Sequence, residues 1–177
     1  MNSYYLSMDS YYLRIDPNLV PYSAGGTPIN LTTSSTGSPN NVVFVGFGQH
    51  GSGVISESNI DSDKCPNADI FAISTHEHKT LNVLSATFTP KVTPDLIVDS
   101  LIVTAQLWIS TTGDNIFTPI PEAIVSDHVK EDRIVYGTVS GLSIPVTPKM
   151  KLLLVFSASN KNNVSISGYA SGGVKFS

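Results

Sequence analysis

An apolar alternation of period two runs through this chain and leaves little room for helices. In LIVTAQLWIS, Leu101, Val103, Ala105, Leu107 and Ile109 share one face, and Ile102, Thr104, Gln106, Trp108 and Ser110 share the other. Side chains alternate across a strand in this way, whereas a helix would repeat every 3.6 residues. LLLVFSAS, from Leu152, begins apolar on both faces, as in a strand covered on both sides. Leu152, Leu153, Leu154, Val155 and Phe156 are therefore assigned to a strand that fills the core or a contact between protomers.

Strands are predicted near 27–33, 42–47, 70–74, 80–90, 97–111, 122–129, 133–144, 150–158 and 163–176. The runs are divided by turn signals at Thr112–Asn115, Pro119 with Pro121, Pro145 to Pro148, and Lys161–Asn163. EAIVSDHVKEDR can be drawn as a short helix, but Pro121 and its β-branched residues favour a strand. Eight or nine short strands separated by turns suggest a β-sandwich or jelly roll.

The 177 residues fit one domain with a real core. Charged residues are 14% of the chain, against roughly 25% in ordinary soluble domains. Ser, Thr, Asn and Gly take their place, which suits a neutral surface partly hidden in an assembly. The net charge of −4 argues against nucleic acid as a partner. No apolar run approaches the ~18 residues of a membrane helix, so no membrane partner is expected. The start MNSYYLSMDS has neither a basic nor an apolar signal region, so synthesis and retention inside the producing cell are expected.

The motifs that suggest chemistry are weak. GFGQHG, Gly46 to Gly51, matches the phosphate-binding glycine pattern, but no helical period follows it. It reads as a glycine-rich bend after a strand, and no cofactor is expected. His76 and His78 in THEHK would share one face of a strand, but spacing supplies no third metal ligand. Asp61, Asp63 and Asp69 in DSDKCPNAD lack the glycine and terminal glutamate of a calcium loop, so no metal is expected. Cys65, the single cysteine, is expected to be a partly exposed loop thiol without a structural role. No catalytic constellation stands out, and the chain is read as a non-enzyme.

Three stretches are distinctive: VPYSAGGTPINLTT (20–33), DNIFTPIPEA (114–123) and GLSIPVTPKMKLLLVFSAS with SGYASGGV (141–174). With VGFG at 45–48 and VTAQLW at 103–108, they resemble the C-terminal head domain of BclB-type exosporium collagen-like glycoproteins of the bacterial spore surface. The resemblance runs from about Val20 to the end and is densest after Leu101. It implies an all-β, C1q/TNF-like jelly-roll sandwich of about eight strands that forms a homotrimer. It further implies a structural, self-assembling role in the exosporium or a spore appendage, among other spore-surface proteins. Synthesis in the mother-cell cytoplasm during sporulation, without a signal peptide, fits that location. A carbohydrate- or receptor-binding jelly roll, as in an adhesin or fibre tip, is the alternative.

The family's collagen stalk has no counterpart here, since no glycine period precedes Val20. A repeated phrase stands in its place, SYYLSMD and then SYYLRID. Residues 1–18 are read as an assembly arm and 19–177 as the head. As a strand, Tyr4, Leu6 and Met8 share one face while Tyr11, Leu13 and Ile15 share the other. As a helix, Tyr5, Met8, Tyr12 and Ile15 would form a heptad seam. Tyrosine favours strands, so the arm is read as extended. Exposed apolar strands seek a neighbour's edge or groove, and an open head-to-tail contact of that kind makes filaments.

Overall fold

The computed structural model describes residues 16–55, 58–65, 68–91, 100–129 and 134–177. Their strands are β1 (Leu19–Ser23), β2 (Ile29–Thr32), β3 (Val42–Val45), β4 (His50–Gly53), β5 (Ile60–Asp61), β6 (Ile73–Ser74), β7 (Lys79–Pro90), β8 (Ile102–Ser110), β9 (Ile116–His128), β10 (Val135–Val146), β11 (Lys151–Ser159) and β12 (Ser165–Phe176). The one helical element among the described residues is a 3-10 turn, Ala68–Phe71. None is long and apolar enough to cross a membrane.

All pairings between these strands are antiparallel, in two sheets. The first runs β1-β12-β7-β10, with β2 also on β12. The second runs β4-β3-β11-β8-β9-β5, with β6 also on β11. Numbering β1, β3 and β7 to β12 as eight principal strands gives orders 1-8-3-6 and 2-7-4-5. That interleaving is a jelly roll, in which each sheet takes strands from both halves of the chain. The expected fold class stands.

The apolar alternation sets which face of each strand is covered. Leu101, Val103, Ala105, Leu107 and Ile109 all enter the core between the sheets, with Leu84 and Phe88 of β7 and Val174 of β12. Strands β3 and β11 are buried on both faces. Val43, Val45, Leu152, Leu154 and Phe156 join the main core, while Val42, Phe44, Leu153 and Val155 turn to the outside of the second sheet. There a cap of Ile60, Cys65, Ala68 and Phe71 covers them, together with Trp108 and Phe117. The sheets draw close at Gly172, where an added Cβ would lie 2.7 Å from Leu154 Cδ2.

Several local expectations need correction. Pro119 and Pro121 lie inside β9 and do not end a strand. The β8–β9 register slips between Gln106 and Trp108, and a bulge of this kind tolerates residues that lack an N–H. Strands β1, β4 and β5 fall outside the predicted runs. Cys65 is buried, not partly exposed, because the cap folds it onto β4. Its Sγ–H donates to the Val54 carbonyl at 3.1 Å, and the Val54 N–H donates to Sγ at 3.4 Å. Cys65→Ser keeps a donor and an acceptor there. Its expected cost is no more than about 1–2 kcal/mol, read by chemical denaturation, with assembly indifferent to reducing agent.

Tyr22 ties the two sheets together. Its Oη donates to the Leu152 carbonyl at a long 3.5 Å, and its ring stacks on Phe47. Burial pushes the phenol's pKa up from 10.0. The folded state therefore holds a proton that the unfolded chain releases. Stability from this group is present below pH 10 and falls above it, by about 1.4 kcal/mol per pH unit. Tyr22→Phe is expected to flatten this alkaline loss, seen in denaturation midpoints between pH 9 and 11.

Candidate assembly surfaces

The described residues place the sequence candidates very unevenly. Tyr4, Tyr5, Leu6, Met8, Tyr11, Tyr12, Leu13 and Ile15 lie outside the described residues. Asp16, next to them in the chain, is fastened to the head. Its carboxylate binds Lys175 Nζ at 2.9 Å and accepts the Asn18 N–H at 3.0 Å, both holding its pKa below the usual value. Leu19 N–H donates to the Asp16 carbonyl, closing a turn into β1. Leu152 through Phe156 are all buried within this one chain, between the sheets or beneath the cap. Neither face of that stretch is left bare for a second protomer.

The tempting motifs resolve into structure. Gly46 to Gly51 is the hairpin between β3 and β4, with Gly48 at φ +74°. Its glycines make room for the cap: a Cβ at Gly51 would meet the Phe71 ring at 2.5 Å, and one at Gly53 the Phe44 ring at 2.6 Å. Asp61 accepts the Asp63 N–H at 3.0 Å and faces Lys64 at 3.7 Å, which makes it a turn residue. His76 and His78 sit exposed between β6 and β7. Among the described residues, no three His, Cys, Asp or Glu side chains form a metal-holding group.

Sequence reasoning missed two surfaces. The first is the outer face of the first sheet. Its strands contain two charged residues, Lys79 and Lys175, which lie at one end and pair with Glu77 and Asp16. Along β10 and β12 the outward positions are Tyr136, Thr138 and Ser140, and Ser167, Tyr169 and Ser171. Pairing sets Tyr136 beside Thr87, and Thr87 beside Ser171. Tyr136 is 73% exposed and Tyr169 44%, so two aromatic rings stand on a face of small hydroxyl side chains. The signal was present in VYGTVSG and SGYASGGV, where small polar residues alternate with apolar or small ones.

The second surface is a groove of about 260 Å³ at the end of the sandwich where the chain enters. Pro17, Val20, Ile73, Val146 and Phe176 form the apolar half of its lining, and residues 74–77 with Lys79 the polar half. It joins residues distant in the sequence, so no local pattern announces it. Lys79 stands at its rim, 3.5 Å from Glu77 Oε2 and 3.4 Å from Asn18 Oδ1.

No protein-family model and no curated protein matches the chain. Among solved structures it is similar to a chain in the structure of infectious bursal disease virus, Gx strain, at 14% identity and a TM-score of 0.38. That alignment takes in 89% of this chain and 31% of the viral one, so this chain spans under a third of that relative's length. It is also similar to a chain of broad bean stain virus, at 10% identity and a TM-score of 0.35, over 94% of this chain and 92% of that one.

Proposed function

We propose that this chain is a non-enzymatic structural protein of the bacterial spore surface, in the exosporium or an appendage. Its jelly-roll head forms a homotrimer, and its N-terminal arm connects one unit to the next. The observation that carries the reading is the charge-poor outer face of the first sheet, whose charged strand residues, Lys79 and Lys175, lie at one end. Depletion of charge and exposed tyrosine anchors are two features of interface centres. The spore location rests on the resemblance of 20–33, 103–108, 114–123 and 141–174 to exosporium heads. Those stretches supply β1, β2, most of β8 and parts of β9 to β12.

Light scattering of the purified chain is expected to give three copies per head unit. Ser140→Glu and Ser171→Glu place carboxylates on the outward face without touching the core. A charge without a partner inside an interface costs about 2–5 kcal/mol, more than a tenfold loss of association. Both variants are expected to run as monomers with melting temperatures within a few degrees of the parent. A trimer that persists in both takes this face out of the interface. Gold-labelled antibody against the head should decorate intact spores. Unlabelled spores with selective glycan binding would favour the sugar-binding alternative.

A further inference from the structure

We propose that the groove between β1 and β6 is the seat for the tyrosine-rich N-terminal segment of a second copy of this chain. The proposal rests on the connector reading above and names its acceptor. The groove lies where the sandwich is open. Strand β1 is the end strand of the first sheet, with its outer edge bonded at Ser23, whose N–H donates to the Gly46 carbonyl, and β6 pairs with β11 alone. An extended peptide entering there meets backbone donors and acceptors as well as apolar side chains, the combination used in strand addition. The lining is continuous with the main core. Phe176 and Val146 belong to that core, and Val20 and Ile73 pack against it. An aromatic ring entering the groove would extend the core.

Chemistry and reach both favour the arm as occupant. Residues 1–15 carry four tyrosines, Leu6, Met8, Leu13 and Ile15 against one acid, Asp9, and one base, Arg14. The rim is likewise balanced, with Lys79 against Glu77. Fifteen extended residues span about 50 Å. A head of this size is about 40 Å across. The arm therefore reaches from its own head to the groove of the next.

The entry geometry favours a neighbour's groove over the chain's own. Asp16 is held by Lys175, which projects from the outer face of the first sheet, while Phe176 beside it points inward to the groove. Asp16, where the arm joins the head, is thus held on the outer face, with Pro17 between it and the groove.

Photo-crosslinking in the full chain tests this. p-Benzoylphenylalanine replaces Tyr12, and assemblies are made from equal parts of ¹⁴N and ¹⁵N chains. Crosslinked peptides of mixed isotope that contain residues 17–20 or 73–79 are the expected product. Single-isotope products at those peptides mean that the arm folds onto its own head, and mixed products elsewhere mean another acceptor; either overturns the proposal. Ser74→Arg sets a long charged side chain at an exposed groove position. It should lower the mixed product at least tenfold with the melting temperature unchanged, and an unchanged yield overturns the proposal. If deleting residues 1–15 leaves assemblies intact, the connector reading itself fails. If that deletion abolishes assembly while crosslinks map elsewhere, the groove alone fails.

Discussion

Leu154→Asp is expected to leave no folded protein, whereas Leu153→Asp should keep the sandwich and lose only the cap. The two residues are neighbours on β11, and both are fully buried. They differ in what covers them. Leu154 faces Gly172 across the two sheets, in the middle of the main core. Replacing a buried leucine by a smaller residue costs about 2–5 kcal/mol. An unpaired buried charge adds several more. Together these match the whole ~5–15 kcal/mol stability of a domain. Leu153 pairs with Trp108 beneath Ile60, Cys65, Ala68 and Phe71. That cover comes from short elements and turns, so local opening can hydrate the carboxylate at less than the global cost.

The chain's single tryptophan distinguishes these outcomes. Trp108 is 4% exposed and sits in the capped cluster. In Leu153→Asp its fluorescence should shift to the red and Cys65 should react with alkylating agents, while far-ultraviolet dichroism stays β-rich. In Leu154→Asp all three signals should change together. Global unfolding of both variants would mean that cap and sandwich form one cooperative unit.

This pair of residues also marks what could be read from the sequence. Two-faced burial of β11 was legible, because five consecutive apolar residues satisfy both sides of a strand. What lay over each face was not legible. The cap is assembled from Cys65, which sits among Asp, Lys and Ser and looks like a solvated turn, and from Phe71, which falls in a run predicted as a strand and folds instead as a 3-10 turn. They become core only because Gly51 and Gly53 leave flat backbone beneath Phe71 and Phe44. Likewise β8 was legible from strict alternation, while Pro119 and Pro121 masked the start of β9. The proline rule holds for regular ladders, and this one is bulged. The charge-poor outer face was visible only as a low overall charge and as the small polar alternation of VYGTVSG and SGYASGGV. Its concentration on one sheet depends on β7, β10 and β12 becoming neighbours, which is a property of topology.

Deleting residues 1–15 should leave a folded trimeric head that no longer builds higher assemblies. Residues 16–177 retain the Asp16–Lys175 pair, the turn into β1 and every strand described, so melting should move by no more than a few degrees. The effect on assembly should be nearly complete. A fully buried aromatic side chain contributes about 1.5–3 kcal/mol. Four tyrosines supply at most about 6–12 kcal/mol, against an association cost of about 4–15 kcal/mol. The margin is thin, so Tyr11→Ser with Tyr12→Ser should already abolish filaments in negative-stain images, and Ser7→Ala should not. Light scattering of the deleted chain decides between the two forms of the arm. A head that falls to monomers would make the repeat a trimerising helical seam through Tyr5, Met8, Tyr12 and Ile15. A trimer without filaments fits an extended connector, because an arm that adds to a neighbour's edge contributes nothing to the contacts within its own head unit.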